Sequence, residues 1–225
     1  MFYYDYTFLI LLPALIFAFY AKFKVSSSFE KYSKVKTSSG ISGKLLARNL
    51  LDRNGLGDIQ VRPVQGHLAD NYDPRDKTIN LSEEIYNGSS IAAMGIAAHE
   101  VSHAVQDKDA YFPIKIRSSI VPISSLGSNL SIPLFFAGLI FGYGPLMDAG
   151  IILFSVAVAF TVITLPVEFN ASKRAVAMLS SSGHLSSQEI GLAKKVLDAA
   201  ALTYVAATAM ALFQLLRLLA LRGRK

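Results

Sequence analysis

Three long stretches of this chain carry almost no charge, and that constrains its fold more than any other feature. Met1 to Tyr20 holds one charged residue, Asp5, and its core from Thr7 to Phe19 is apolar. Val121 to Met147 and Ala149 to Val167 hold none, and only Asp148 and the turn Gly142-Tyr143-Gly144-Pro145 interrupt them. A membrane-crossing helix needs about 20 apolar residues, so each run is long enough. Of the 225 residues 52% are hydrophobic and only 17% charged, with a mean hydropathy of +0.40, which excludes an ordinary soluble domain. The first run has no basic residue ahead of its core and ends in Phe17-Ala18-Phe19-Tyr20-Ala21-Lys22, a poor cleavage site. It reads as an uncleaved anchor.

Lysine and arginine placement sets the expected orientation. None precedes the first run, whereas Lys22, Lys24, Lys31, Lys34, Lys36, Lys44 and Arg48 follow it. The positive-inside rule therefore puts the N-terminus outside and the following region in the cytoplasm. The second run leads out, the third returns, and Lys173, Arg174, Lys194 and Lys195 fall inside. Ala199 to Leu216 is also uncharged, but Arg217, Arg222, Arg224 and Lys225 follow it. A crossing would place those charges outside, whereas a packed or interfacial helix would keep them inside. The length of the run tips the expectation toward a fourth span.

The expected chain is an α-helical membrane protein with three to four transmembrane helices and a small α+β cytoplasmic domain. Residues 1–21 form the anchor, 22–118 the cytoplasmic region and 119–167 a transmembrane hairpin. Residues 168–198 form cytoplasmic helices, and 199–221 a hydrophobic helix that is the fourth candidate span. The chain has no cysteine, which excludes disulfides and thiolate metal ligands. Its net charge of +6 mostly flanks the apolar runs, in keeping with a lipid-facing surface. No basic helix with base-reading spacing is present, so no nucleic-acid partner is expected.

The region after the anchor has the pattern of a small sheet with helices. Lys44 to Asn54 reads as a helix with Leu45, Leu46, Leu50 and Leu51 on one stripe, stopped by Asn54-Gly55. Ile59 to Val64 alternates as a strand, and His67 to Tyr72 can pair with Thr78 to Ser82 across Asp73-Pro74-Arg75-Asp76. Gly88-Ser89-Ser90 then caps a proline-free helix from Ile91 to Val105. Ala92, Ala93, Gly95, Ala97, Ala98 and Ala104 leave room for other elements to approach it closely.

That helix contains His99-Glu100-Val101-Ser102-His103, an H-E-x-x-H string. At 100° per residue His99 and His103 lie one turn apart on one face, so both imidazoles can reach one tetrahedral zinc ion. Glu100 points a quarter-turn away, where a carboxylate can take a proton from a zinc-activated water. A helix with two solvent-facing histidines and an unrelated glutamate would carry the same letters.

Two histidines do not complete a catalytic zinc site. His67 and His184 are the only others. His67, on a candidate strand beside Gly66, can be read as a ligand, a transition-state donor or a surface residue; His184 follows Gly183 in a helix-stop loop and reads as exposed. Pro166 suits the first turn of a helix running to about Leu179, which sets Glu168 in that turn. Ser186 with Glu189 forms a capping box for the next helix. Glu168 lies where the third span meets the cytoplasm, on the expected side of His99 and His103. A carboxylate at that boundary is costly unless it is paired or bound to a metal, so the rival reading pairs it with Lys173 or Arg174.

These residues carry a resemblance. The chain resembles, over nearly its whole length, the YugP-like family of neutral zinc metallopeptidases of the bacterial membrane, and more distantly the membrane gluzincins. The likeness rests on Ser38-Ser39-Gly40-Ile41-Ser42-Gly43, Gly66-His67-Leu68-Ala69-Asp70-Asn71-Tyr72-Asp73-Pro74, His99-Glu100-Val101-Ser102-His103 and Glu168-Phe169-Asn170-Ala171-Ser172. It implies a zincin-like domain, a zinc cofactor, and Glu168 as third ligand, since gluzincins take theirs from a glutamate on a downstream helix. Many gluzincins place an aspartate four residues after that glutamate, behind a zinc histidine. Here the position is Ser172, with Asn170 nearby, so the support carries less charge. Glycine is common before the second histidine of such helices, and here it is Ser102.

The expected activity is that of a hydrolase, a membrane-embedded zinc endopeptidase at the cytoplasmic surface of the cell membrane. His99, His103 and Glu168 would bind zinc and Glu100 would act as the base, with a peptide or membrane-protein substrate. Tyr72, His67, Arg174 and Tyr204 are unranked donors for the oxyanion. An edge strand of the small sheet could hold an extended peptide by β-augmentation. The alternative is a non-catalytic scaffold or regulatory subunit whose zinc is structural, closed by a fourth ligand such as His67. A transporter lacks support, because the spans have no paired ionisable residues near the midplane. Neither an adaptor site nor a homo-oligomer contact is legible in the sequence.

Overall fold

The structure is a computed structural model, and it describes residues 6–67 and 69–223. A 3-10 turn (Tyr6–Leu11) runs into α1 (Leu12–Ser33), followed by α2 (Gly43–Arg53), β1 (Gln60–Val64), β2 (Asn71–Asp73) and β3 (Thr78–Ser82). Then come α3 (Glu83–Asn87), α4 (Ile91–Lys108), α5 (Phe112–Phe141), α6 (Gly144–Ser182) and α7 (Ser187–Arg222). The chain divides into two compact units. One gathers the chain up to Lys22, Lys115–Pro166 and the chain from Thr203 on; the other gathers Phe23–Ile114 and Val167–Leu202.

Among the described residues four helices are long and apolar enough to cross a membrane: Tyr6–Ser33, α5, α6 and α7. In the first unit α5 and α6 approach closely through small residues. A methyl group at Gly127 would lie 2.7 Å from the Leu153 carbonyl oxygen, and one at Gly150 would lie 2.7 Å from that of Ser131. Backbones this close are how helices gain packing where lipid removes the hydrophobic drive. Phe135, Met147 and Leu218 are buried together beside this contact. Arg222 donates from Nε to Asp148 Oδ1 at 2.7 Å, and Arg217 from Nε to Thr7 Oγ1 at 3.3 Å while lying over the Phe8 ring. The last turn of α7 therefore sits at the α5–α6 turn, and Asp148 balances one of the charges that spoke against a fourth span.

Two local expectations change. Pro166 does not open a helix; it lies inside α6, which runs through it unbroken. The preference of proline for a first turn is local, whereas a long helix that continues for more than a dozen residues on both sides tolerates one lost backbone bond and leaves the ring exposed. Glu168 is thus a mid-helix residue. The strand expected from His67 begins only at Asn71. Gly66 takes φ +115° in a bend, and Asp70 uses its side chain in place of a strand ladder, with Oδ1 accepting the Ser82 N–H at 2.7 Å.

The second unit holds the sheet, in the order β1-β3-β2. β1 runs parallel to β3 with Val61 opposite Ile79, and β2 runs antiparallel to it with Tyr72 opposite the same residue. Ile79 and Leu81 of the central strand are fully buried with Leu46, Leu50 and Leu51 of α2 and with Ile91, Met94 and Val101 of α4. Asn54 ends α2 as its stop signal implied, and Ser42 opens it, its hydroxyl accepting the Leu45 N–H. Gly95 of α4 lies against Ala193 of α7, where an added methyl would be 3.5 Å from the Ala193 carbonyl oxygen. Glu189 and Ser186 exchange the two bonds of a capping box, 2.7 and 3.3 Å long.

Candidate metal centre

Nothing interrupts Ile91–Lys108, so α4 presents its two histidines in fixed register. Ser90 opens the helix, its hydroxyl accepting the Ala93 N–H at 3.2 Å. The small residues around Ala97 and Ala98 let the helix sink into the core, so its polar face is enclosed rather than solvated. His99 and His103 stand one turn apart with their rings perpendicular and their centroids 4.8 Å apart. Ser102 between them is fully buried and turns its hydroxyl back to the Ala98 carbonyl at 2.7 Å, so the serine fits at this position without an unpaired hydroxyl.

Glu168 of α6 meets both rings. Its Oε2 lies 3.2 Å from His99 Nε2 and 3.7 Å from His103 Nε2, and the residue is 1% exposed. The three donor atoms lie within 4.8 Å of one another. Two ligand atoms bound at zinc distances around one tetrahedral ion stand roughly 3.3–3.4 Å apart. The two separations from Glu168 bracket that value, and two imidazoles with one carboxylate form a donor set suited to zinc. The residues present fit the ion.

The far side of each ring is also engaged. Ser172 Oγ lies 3.4 Å from His99 Nδ1, and Gln106 Oε1 lies 3.0 Å from His103 Nδ1. Both rings therefore turn Nε2 toward Glu168. Asn170 stands behind Gln106, accepting from its Nε2 at 2.9 Å. Gln106 is a site residue that motif spacing did not reveal. A glutamine three residues beyond His103, on the same helical face, was the available signal.

Glu100 is buried beside the histidines. Burial pushes its carboxyl above the ordinary carboxylate range, the His99 and His103 rings pull it back, and Glu168 and Asp70 add to the rise. A base with raised proton affinity is better matched to work near neutral pH.

The other sequence candidates lie elsewhere or are engaged. His67 is exposed, edge-on to Phe29 at 5.0 Å and 3.6 Å from Glu84, outside the donor cluster. His184 Nε2 lies 3.3 Å from Asn49 Nδ2. Tyr72 donates its hydroxyl to Asp107 Oδ2 at 3.0 Å, and that bond, the Asp107 charge and above all burial hold its proton well beyond the usual phenol range. Arg174 donates to Asn170 and to Asp109, and Tyr204 belongs to the other unit.

A family model described as "Putative neutral zinc metallopeptidase" matches residues 7–223, and the chain belongs to that family. It is 49% identical over 215 residues to a protein of Bacillus subtilis (strain 168) named "Putative membrane protease YugP", an overlap of 95% of this chain and 96% of that protein. No solved structure matches the chain.

Proposed function

We propose that this chain is a zinc-dependent endopeptidase of the gluzincin type, embedded in a bacterial cell membrane with its site on the cytoplasmic surface. The observation that carries the reading is one buried Glu168 oxygen facing two imidazole Nε2 atoms, with a second buried carboxylate, Glu100, next to His99. Membership of a zinc metallopeptidase family supports it. Zinc held there would supply a Lewis acid that acidifies a water and polarises the carbonyl of the scissile bond. His99, His103 and Glu168 would hold it, a set of three protein donors of the kind found in catalytic zinc sites. Glu100 accepts the proton of the attacking water and passes it to the leaving amine nitrogen. Its raised proton affinity suits it to both steps.

β2 gives a peptide somewhere to lie. It packs against α4, and among the described strands only β3 pairs with it. Its other edge can take the backbone of an extended substrate. Tyr72 fastens that strand to α4 through Asp107.

The test is metal dependence. The purified chain in detergent takes up one zinc, cleaves an unfolded polypeptide, loses cleavage to a chelator and regains it when zinc is returned. Undiminished cleavage after the metal is stripped overturns the reading. Orientation is tested separately, because the chain has no cysteine and Asp76 is exposed. Asp76→Cys in cells should react with a membrane-impermeant maleimide only after the membrane is opened. Labelling of intact cells would place the site on the outer face.

A further inference from the structure

The amide of Gln106 is buried and fully used. Its Nε2 lies 2.9 Å from the Val167 carbonyl oxygen and 2.9 Å from Asn170 Oδ1. A backbone carbonyl can only accept, so the amide nitrogen has to face it. That leaves Oε1, which also only accepts, 3.0 Å from His103 Nδ1. The bond forms only with a proton on Nδ1, and Nε2 is then the one ring nitrogen able to offer a lone pair. That atom is the one that faces Glu168.

Asn170 is fixed in the same way. Arg174 Nε, a donor only, lies 2.8 Å from Asn170 Oδ1, and Arg174 Nη1 lies 2.6 Å from Asp109 Oδ2. The chain of bonds starts at His103, leaves α4 at Gln106, passes through Asn170 and Arg174 of α6, and returns at Asp109, just past the end of α4. It binds α4 to α6 at Val167, Asn170 and Arg174, with Glu168 between the first two. The support of His99 is of another kind: a serine hydroxyl at 3.4 Å can donate or accept and imposes no tautomer.

We infer that Gln106, oriented by the Val167 carbonyl and by Asn170, is the positioning residue of the metal site. It sets His103 in the Nδ1–H form and aims Nε2 at the ion, and the same bonds bring Glu168 to it. The inference rests on the reading that His99, His103 and Glu168 hold zinc.

Zinc affinity by chelator competition, the rate of zinc release and the melting of the metal-free protein are measured for wild type, Gln106→Met, Asn170→Leu and Asn170→Asp. Loss of a hydrogen bond behind a ligand histidine weakens metal binding about 10–100-fold. Gln106→Met is expected in that range with faster release, and Asn170→Leu is expected to be weaker than wild type in the same direction. Asn170→Asp keeps an oxygen for both Gln106 and Arg174 and is expected to bind like wild type. A purely structural role would lower metal-free melting and leave the affinity of the folded protein unchanged. Wild-type affinity in Gln106→Met, or equal affinities in the two Asn170 variants, overturns the inference. If Gln106→Met does not fold, the Asn170 pair decides alone. A wild type that takes up no zinc overturns the metal reading itself, whereas one zinc bound equally well by wild type and Gln106→Met overturns only the role of Gln106.

Discussion

Glu100→Gln will hold one zinc as tightly as wild type and cleave polypeptide about 10²–10⁴-fold more slowly, the range that a positioned general base contributes. The amide has the size of the carboxyl it replaces, so the core around α4 is undisturbed, but it cannot accept the proton of the attacking water. Zinc uptake is untouched because the three converging donors are His99, His103 and Glu168, and Glu100 is not among them. Folding does not suffer either. Glu100 is buried where ionisation is disfavoured, and a neutral amide removes that cost. The measurement is therefore a pair, zinc stoichiometry and turnover on the same preparation. Full turnover with one zinc bound would remove Glu100 from the chemistry. A structural zinc predicts a different pattern: Glu100→Gln changes nothing, and stripping the metal unfolds the unit that contains α4.

How much of this was legible in the sequence depends on how local the physics is. His99 and His103 share a face because five residues of any helix would place them so, and Ser90 and the unbroken run to Lys108 guarantee the helix. Asn54, the Asp73-Pro74-Arg75-Asp76 turn and the Ser186–Glu189 box are equally local, and each lies where turn and cap chemistry puts it. Pro166 misled because its preference for a first turn is a statement about one residue, whereas the continuity of α6 is a property of the long helix on both sides of it. His67 fell outside the strand because Gly66 bends the chain and Asp70 bonds to Ser82 by its side chain, neither of which alters the alternating pattern of letters. Gln106 lies only three residues past His103, but its partners Val167 and Asn170 are far along the chain. Its orientation is a tertiary fact that periodicity does not contain.

Glu168→Ala will lose zinc, by more than the about 10–100-fold that follows loss of a bond behind a ligand. The carboxylate does two things at once. It is the third donor, and it is a carboxylate facing both His99 and His103, 3.2 and 3.7 Å from their Nε2 atoms. Without it the ion keeps two neutral imidazoles, a set that does not complete a catalytic zinc site. Melting with and without zinc reads the same loss in another way. Zinc at about 100 times its dissociation constant adds roughly 2.7 kcal/mol to a protein that binds it only when folded. Wild type should therefore melt higher with zinc, and Glu168→Ala should melt at one temperature in both conditions. Glu168→Asp sharpens the comparison, because it keeps the charge but withdraws the oxygens by one methylene, and it should fall between the two. Zinc binding unchanged in Glu168→Ala would mean that the third donor is another residue. The search would return to His67, which would have to leave Phe29 and Glu84 to reach the ion.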